Sequence, residues 1–230
     1  MKYLLWLAVC SGQAFAHVPY VEGLDFKEGE SFTQIDSIEK SLAIYSAFNY
    51  PGDVDEMTFT LTPQDLENQD KLVTEGSQRG RRLSFDTIVP RCLGNLEVLP
   101  SIAVVGPIQG LLVQDNTSLE TLPFSVKPGE GTFITTNDSQ GETFKEEIGG
   151  TYYWQQKRSE ILLTQPGDYH IYIWNRTENV GDYTFVIGRE EVFGIPEIIQ
   201  SFKRIGFIRR GKEINDAQCR KEAKKSSATL

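Results

Sequence analysis

The chain has 230 residues, 39% of them hydrophobic and 11% aromatic, with 23 Lys or Arg against 32 Asp or Glu and a formal net charge of −9. That length is enough for one large domain with a proper core. The acidic balance repels nucleic acid and excludes it as a partner, and beyond the first residues no apolar run approaches the ~20 residues of a membrane-spanning helix.

Residues 1–16 read as a secretory leader, because Lys2 precedes an apolar run over 3–9 and Ala14-Phe15-Ala16 is a small-x-small cleavage signal. The mature chain is then expected to begin at His17 and to be secreted, periplasmic or cell-surface. A lipoprotein reading of Leu7-Ala8-Val9-Cys10 competes, but Val9 is large where a small residue is expected. After an acidic stretch, 31–35 is expected to be a short edge strand. Residues 41–48, apolar alternating with small, form the next strand. Pro51-Gly52-Asp53 makes a turn, and Met57, Phe59 and Leu61 alternating with Thr58, Thr60 and Thr62 give a half-buried strand, for which the preceding one is the expected partner.

Short strands are expected at 82–89, 101–105, 110–113, 122–126, 132–136, 151–155 and 160–164, punctuated by Pro90, Pro100, Gly106-Pro107, Pro128-Gly129, Gly149-Gly150 and Pro166-Gly167. The strongest pattern is 167–188. Tyr169, Ile171 and Ile173 alternate with His170, Tyr172 and Trp174, and Tyr183, Phe185 and Ile187 with Thr184 and Val186, each run opened by Gly-Asp. This predicts a wide-looped hairpin within an antiparallel β-sandwich spanning 17–190. Past it the period changes: Ile195, Ile198, Ile199, Phe202 and Ile205 form a helical stripe within 191–214, and 215–230 is a basic tail expected to be disordered unless anchored. Residues 197–230 hold nine Lys or Arg against four acids, so acidic body and basic tail are distinct pieces.

The turn followed by Asp53-x-Asp55-x-x-x-Phe59-x-Leu61, together with Gly167-x-Tyr169-x-Ile171-x-Ile173, resembles the pre-peptidase C-terminal domains found beside secreted bacterial peptidases. The resemblance covers roughly residues 38–188 and implies a jelly-roll-like sandwich.

Few residues offer chemistry. The two histidines, His17 and His170, form no Ser-His-Asp or His-Glu-x-x-His pattern. Cleavage before His17 would free an α-amine beside an imidazole, and with His170 as second imidazole this looks like the histidine brace of secreted copper monooxygenases; against it, His170 between two aromatics reads as an ordinary strand residue. Asp53 and Asp55, with Glu56, are a candidate calcium turn, or simply a solvated one. Trp154, Tyr172 and Trp174 are candidates for a stacking platform for glycan or peptide, or else core filling. Cys92 and Cys219 are a candidate disulfide tethering the tail, or two free thiols. The basic helix is a candidate for an anionic membrane surface, or packs on the sandwich. Asn116-Thr-Ser, Asn137-Asp-Ser and Asn175-Arg-Thr match the glycosylation sequon.

The expectation is an all-β, jelly-roll-like antiparallel sandwich with a C-terminal amphipathic helix, acting without catalysis as a binding or envelope-associated accessory module. A glycan, a protein or an anionic membrane is the partner, and no cofactor is required. The alternatives are a copper-binding redox protein using His17 and His170, and a peripheral membrane protein held by the basic C-terminal helix.

Overall fold

The computed structural model describes residues 18–21, 33–108, 112–113, 122–145 and 152–190. The expected leader, His17, the C-terminal helix and the basic tail lie outside the described residues.

In chain order the strands are β1 (Val18–Val21), β2 (Thr33–Gln34), β3 (Leu42–Phe48) and β4 (Val54–Leu61), followed by the short helix α1 (Pro63–Glu67), β5 (Val73–Glu75), β6 (Gln78–Pro90) and β7 (Pro100–Gly106). After β8 (Leu112–Val113) come β9 (Gly131–Thr135), β10 (Glu142–Lys145), β11 (Tyr152–Gln155), β12 (Ser159–Leu163), β13 (Gly167–Asn175) and β14 (Gly181–Ile187). They make two sheets. One runs β1-β3-β14-β6-β11-β10 with β12 and β5 also on β6, and the other runs β2-β4-β13-β7-β9-β8. Pairing is antiparallel except for β1 with β3, β2 with β4 and β8 with β9, each at a sheet edge.

Most of the expected strands form, although 122–126 does not and β1, β5 and β10 were not expected, and two pairings differ from expectation. The hairpin over 167–188 does not form: β13 pairs with β4 and β7, whereas β14 pairs with β3 and β6. Likewise β3 and β4 are not partners; the turn between them leads from one sheet to the other. Residues 49–53, 91–99 and 176–180 are therefore arches between sheets. A strand with one buried face fits a neighbour beside it or a neighbour across the core equally well, and alternation is blind to the difference. The glycines of the two Gly-Asp entries have positive φ. Gly167 and Gly181 have φ of 145° and 157°, and a Cβ on Gly181 would lie 2.5 Å from Asn95 Oδ1 and from a Val98 methyl.

The core lies between the inner faces. Met57, Phe59 and Leu61 of β4, Ile102 and Val104 of β7, Phe133 of β9 and Tyr169, Ile171 and Ile173 of β13 meet Ile44 and Phe48 of β3, Leu83, Phe85 and Val89 of β6 and Tyr183, Phe185 and Ile187 of β14. Phe85 and Phe133 cross the interface edge to face at 6.1 Å, while Phe59 stacks on Tyr169 at 4.9 Å. Full burial of each such side chain contributes roughly 1.5–3 kcal/mol. The Tyr169 hydroxyl donates to the Gln165 carbonyl at 2.7 Å, and burial pushes its pKa up to about 12.

Candidate functional site

On β13 the residues that alternate with the core set, His170, Tyr172 and Trp174, point to the outer face of the six-stranded sheet. Register places His170 between Thr58 of β4 and Val105 of β7, Tyr172 between Glu56 and Ala103, and Trp174 between Val54 and Ser101. These side chains are not bare. Residues 122–126, expected as a strand, form none; Pro123 and Pro128 leave donors missing from any ladder, and the segment instead lays Phe124 on the sheet face. The Phe124 ring stacks on Tyr172 at 4.1 Å with an interplanar angle of 8° and meets Trp174 edge-on at 5.5 Å. On its other side Tyr172 runs parallel to the His170 ring at 6.1 Å. Ala103, Ile134 and Trp174, with Leu122, Val54, Phe124 and Tyr172 against them, form a second apolar cluster beneath this row.

The polar end of the row is built around Glu56. His170 Nδ1 lies 2.6 Å from Glu56 Oε1, with both side chains partly exposed. Burial raises the Tyr172 hydroxyl well above its ordinary pKa, and the charge of Glu56, its hydrogen bond to that hydroxyl and the charge of Glu130 raise it further. The hydroxyl is thus held neutral beside a carboxylate. Glu130 is fixed in turn by a tight turn, its Oε2 accepting the Lys127 N–H at 2.9 Å.

The three aromatics singled out from sequence are not one platform. Tyr172 and Trp174 sit together, but Trp154 is on β11 in the other sheet, paired opposite Val89 and packed against the main core. Trp174 is only 7% exposed, so Tyr172 and its polar neighbours form the accessible part. Sequence reasoning missed Phe124, Glu130 and the pairing of Glu56 with His170. The prolines around Phe124 were the one available signal.

Asp53 and Asp55 do not form a solvated turn: they are 2% and 1% exposed. Asp53 Oδ2 accepts the Asn49 N–H at 2.7 Å. Asp55 Oδ2 accepts the Ser46 hydroxyl at 3.1 Å and also the Tyr183 hydroxyl. Among the described residues no three His, Cys, Asp or Glu side chains are grouped to hold a metal ion. His170 keeps its second ring nitrogen for other partners, while His17 lies outside the described residues. Cys92 is disulfide-bonded; its partner lies outside the described residues. Of the sequon asparagines, Asn175 is buried and donates to the Asn179 carbonyl at 2.6 Å, and Asn137 donates to the Pro100 carbonyl at 2.8 Å. Asn116 lies outside the described residues. No helix among the described residues is long and apolar enough to cross a membrane.

Comparison of the chain with protein-family models and with curated proteins finds no match.

Proposed function

We infer that the chain is a secreted, non-catalytic β-sandwich accessory module that binds its ligand on the outer face of the six-stranded sheet. The observation that carries this reading is the Tyr172 row: aromatic rings locked by Phe124 on one side and bordered by the His170–Glu56 pair on the other. A rigid aromatic with polar groups at its edge suits a sugar ring or an extended peptide, which gains stacking and directional hydrogen bonds at once. The jelly-roll-like, pre-peptidase-like reading belongs to the same proposal. It is supported by the two motifs lying on adjacent strands, with Phe59 directly opposite Tyr169. Non-catalytic action is favoured because the buried carboxylates of Asp53 and Asp55 are engaged by backbone and hydroxyl donors.

Glycan and peptide arrays test this directly. A hit should weaken at least about tenfold in Tyr172→Ala, the loss expected for a stacking anchor. Arrays without any hit, or a hit indifferent to Tyr172→Ala and His170→Ala, would refute it.

One observation keeps the copper reading alive: a histidine whose Nδ1 is held by a carboxylate is the usual setting of a metal-ligating imidazole. Titration of the processed chain with one equivalent of copper(II) should then give a tetragonal, nitrogen-rich paramagnetic signal lost in both His17→Ala and His170→Ala. A signal unchanged in His170→Ala, or no tight binding, removes that reading.

A further inference from the structure

The outward residues of β13 run Asp168, His170, Tyr172 and Trp174, two apart along one face, so each side chain has the next as its neighbour. Phe124 stacks on Tyr172, and Tyr172 runs parallel to His170 at 6.1 Å with an interplanar angle of 8°. The row of flat rings ends at His170. The next position is Asp168, which is exposed and lies opposite Thr60 of β4, as His170 lies opposite Thr58. The Thr60 hydroxyl donates to Asp168 Oδ1 at 2.7 Å. That bond fixes the carboxylate at the end of the row and leaves Oδ2 without a donor among the described residues.

His170 is therefore set between two acids. Glu56 Oε1 lies 2.6 Å from its Nδ1 and fixes the rotation of the ring, while Asp168 stands on the side turned away from Tyr172. Glu130 brings a third carboxylate, close enough for its charge to act on the Tyr172 hydroxyl. Among the described residues, the basic groups that meet these three acids are His170 at Glu56 and Lys127, 4.0 Å from Glu130. None meets Asp168. A stack of rings that stops beside a positioned carboxylate with no cation of its own is complementary to a flat cation.

We propose that this corner is a subsite for an arginine side chain of a peptide partner, with the guanidinium lying on the His170 ring as the next plate of the row and donating to Asp168 Oδ2. The proposal rests on the Tyr172-face reading and narrows its ligand to a basic peptide. A guanidinium is planar, weakly hydrated and presents paired N–H donors, so it gains stacking and a charge-assisted bond together. The compact, strongly hydrated ammonium of lysine gains mainly the ion pair. A neutral sugar satisfies none of the three carboxylates by charge.

The experiment is an NMR titration of the mature chain with three capped peptides, Gly-Arg-Gly, Gly-Lys-Gly and Gly-citrulline-Gly, followed at the His170 ring. Citrulline keeps the planar shape and removes the charge. The arginine peptide is expected to shift the His170 signals and to bind about fivefold more tightly than the lysine peptide. The citrulline peptide should bind about tenfold more weakly than the arginine one. Asp168→Asn keeps the shape of an exposed side chain, so its thermal melt should match wild type, while arginine binding falls about fivefold. Equal binding of arginine and citrulline peptides would overturn the proposal, as would arginine binding unchanged in Asp168→Asn or a His170 ring that no peptide shifts. Failure here is separable from failure of the Tyr172 face. A neutral array ligand that weakens in Tyr172→Ala, with the arginine peptide silent, keeps the face and removes the arginine subsite; silence of both removes both.

Discussion

A carboxylate inside a sandwich persists only where donors meet it, and Asp55 of β4 is met by two hydroxyls from the opposite sheet, Ser46 and Tyr183. The bond thereby couples the two layers. Tyr183→Phe keeps the ring stacked on Phe48 but strips a donor from a buried charge, and is expected to cost about 1–3 kcal/mol. Tyr169→Phe loses a bond to a neutral carbonyl and should cost about 1 kcal/mol or less. Urea midpoints of the two variants check the order; equal losses would mean that the Asp55 contact adds nothing. Asp86 is a second buried carboxyl. It is 1% exposed, Gln155 Nε2 donates to its Oδ2 at 3.1 Å and Arg158 Nε lies 3.3 Å away, but burial outweighs both and raises its pKa. A carboxyl that holds its proton more tightly folded than unfolded makes the fold lose stability as pH rises. The window opens at the unfolded value of about 3.9 and closes above the raised folded one. Wild type should therefore lose ground to Asp86→Asn as pH climbs from about 4, read from paired urea titrations; parallel profiles would place the Asp86 proton elsewhere.

At the scale of elements, the arches decide the topology, and the 176–180 arch runs into a backbone that tolerates little change. Gly181 opens β14 at φ 157° with no room for a Cβ beside Asn95 and Val98. Gly181→Ala should therefore destabilise by about 1–3 kcal/mol. Glu178, in the same arch, carries the only positive φ of a non-glycine among the described residues, 57°. Glu178→Gly is expected to be stabilising by a few tenths to ~1 kcal/mol, since it removes a left-handed strain. Thermal melts of the pair should move in opposite directions. Most strand positions were legible in the chain because alternation of apolar and polar residues is a local signal, whereas the short β1, β5 and β10 carry too little of it. Tyr169, Ile171 and Ile173 were identified as one face and are fully buried. What alternation cannot carry is which strand lies beside which, so the β13–β14 arch read as a hairpin. Phe124 read as a strand residue for a related reason: its apolar run satisfied the period, while its actual burial comes from a side chain laid across the sheet. The His170–Glu56 pair joins residues far apart in sequence, and only the β13–β4 register brings them opposite.

At the scale of the whole molecule, the two sheets are joined by arches, and Cys92 in the 91–99 arch is disulfide-bonded to a cysteine outside the described residues. A disulfide acts mainly by limiting the unfolded chain, and because closure entropy grows only slowly with loop length, a bridge over a long span contributes about as much as one over a modest span. Reduction should therefore lower stability by about 2–4 kcal/mol, seen as an earlier urea midpoint in reductant and matched by Cys92→Ala without reductant. Digestion of the mature chain under non-reducing conditions should yield one peptide joining Cys92 to Cys219. Recovery of Cys92 and Cys219 in separate peptides would refute that pairing. An unchanged midpoint on reduction would show instead that the core between the sheets holds the fold together unaided.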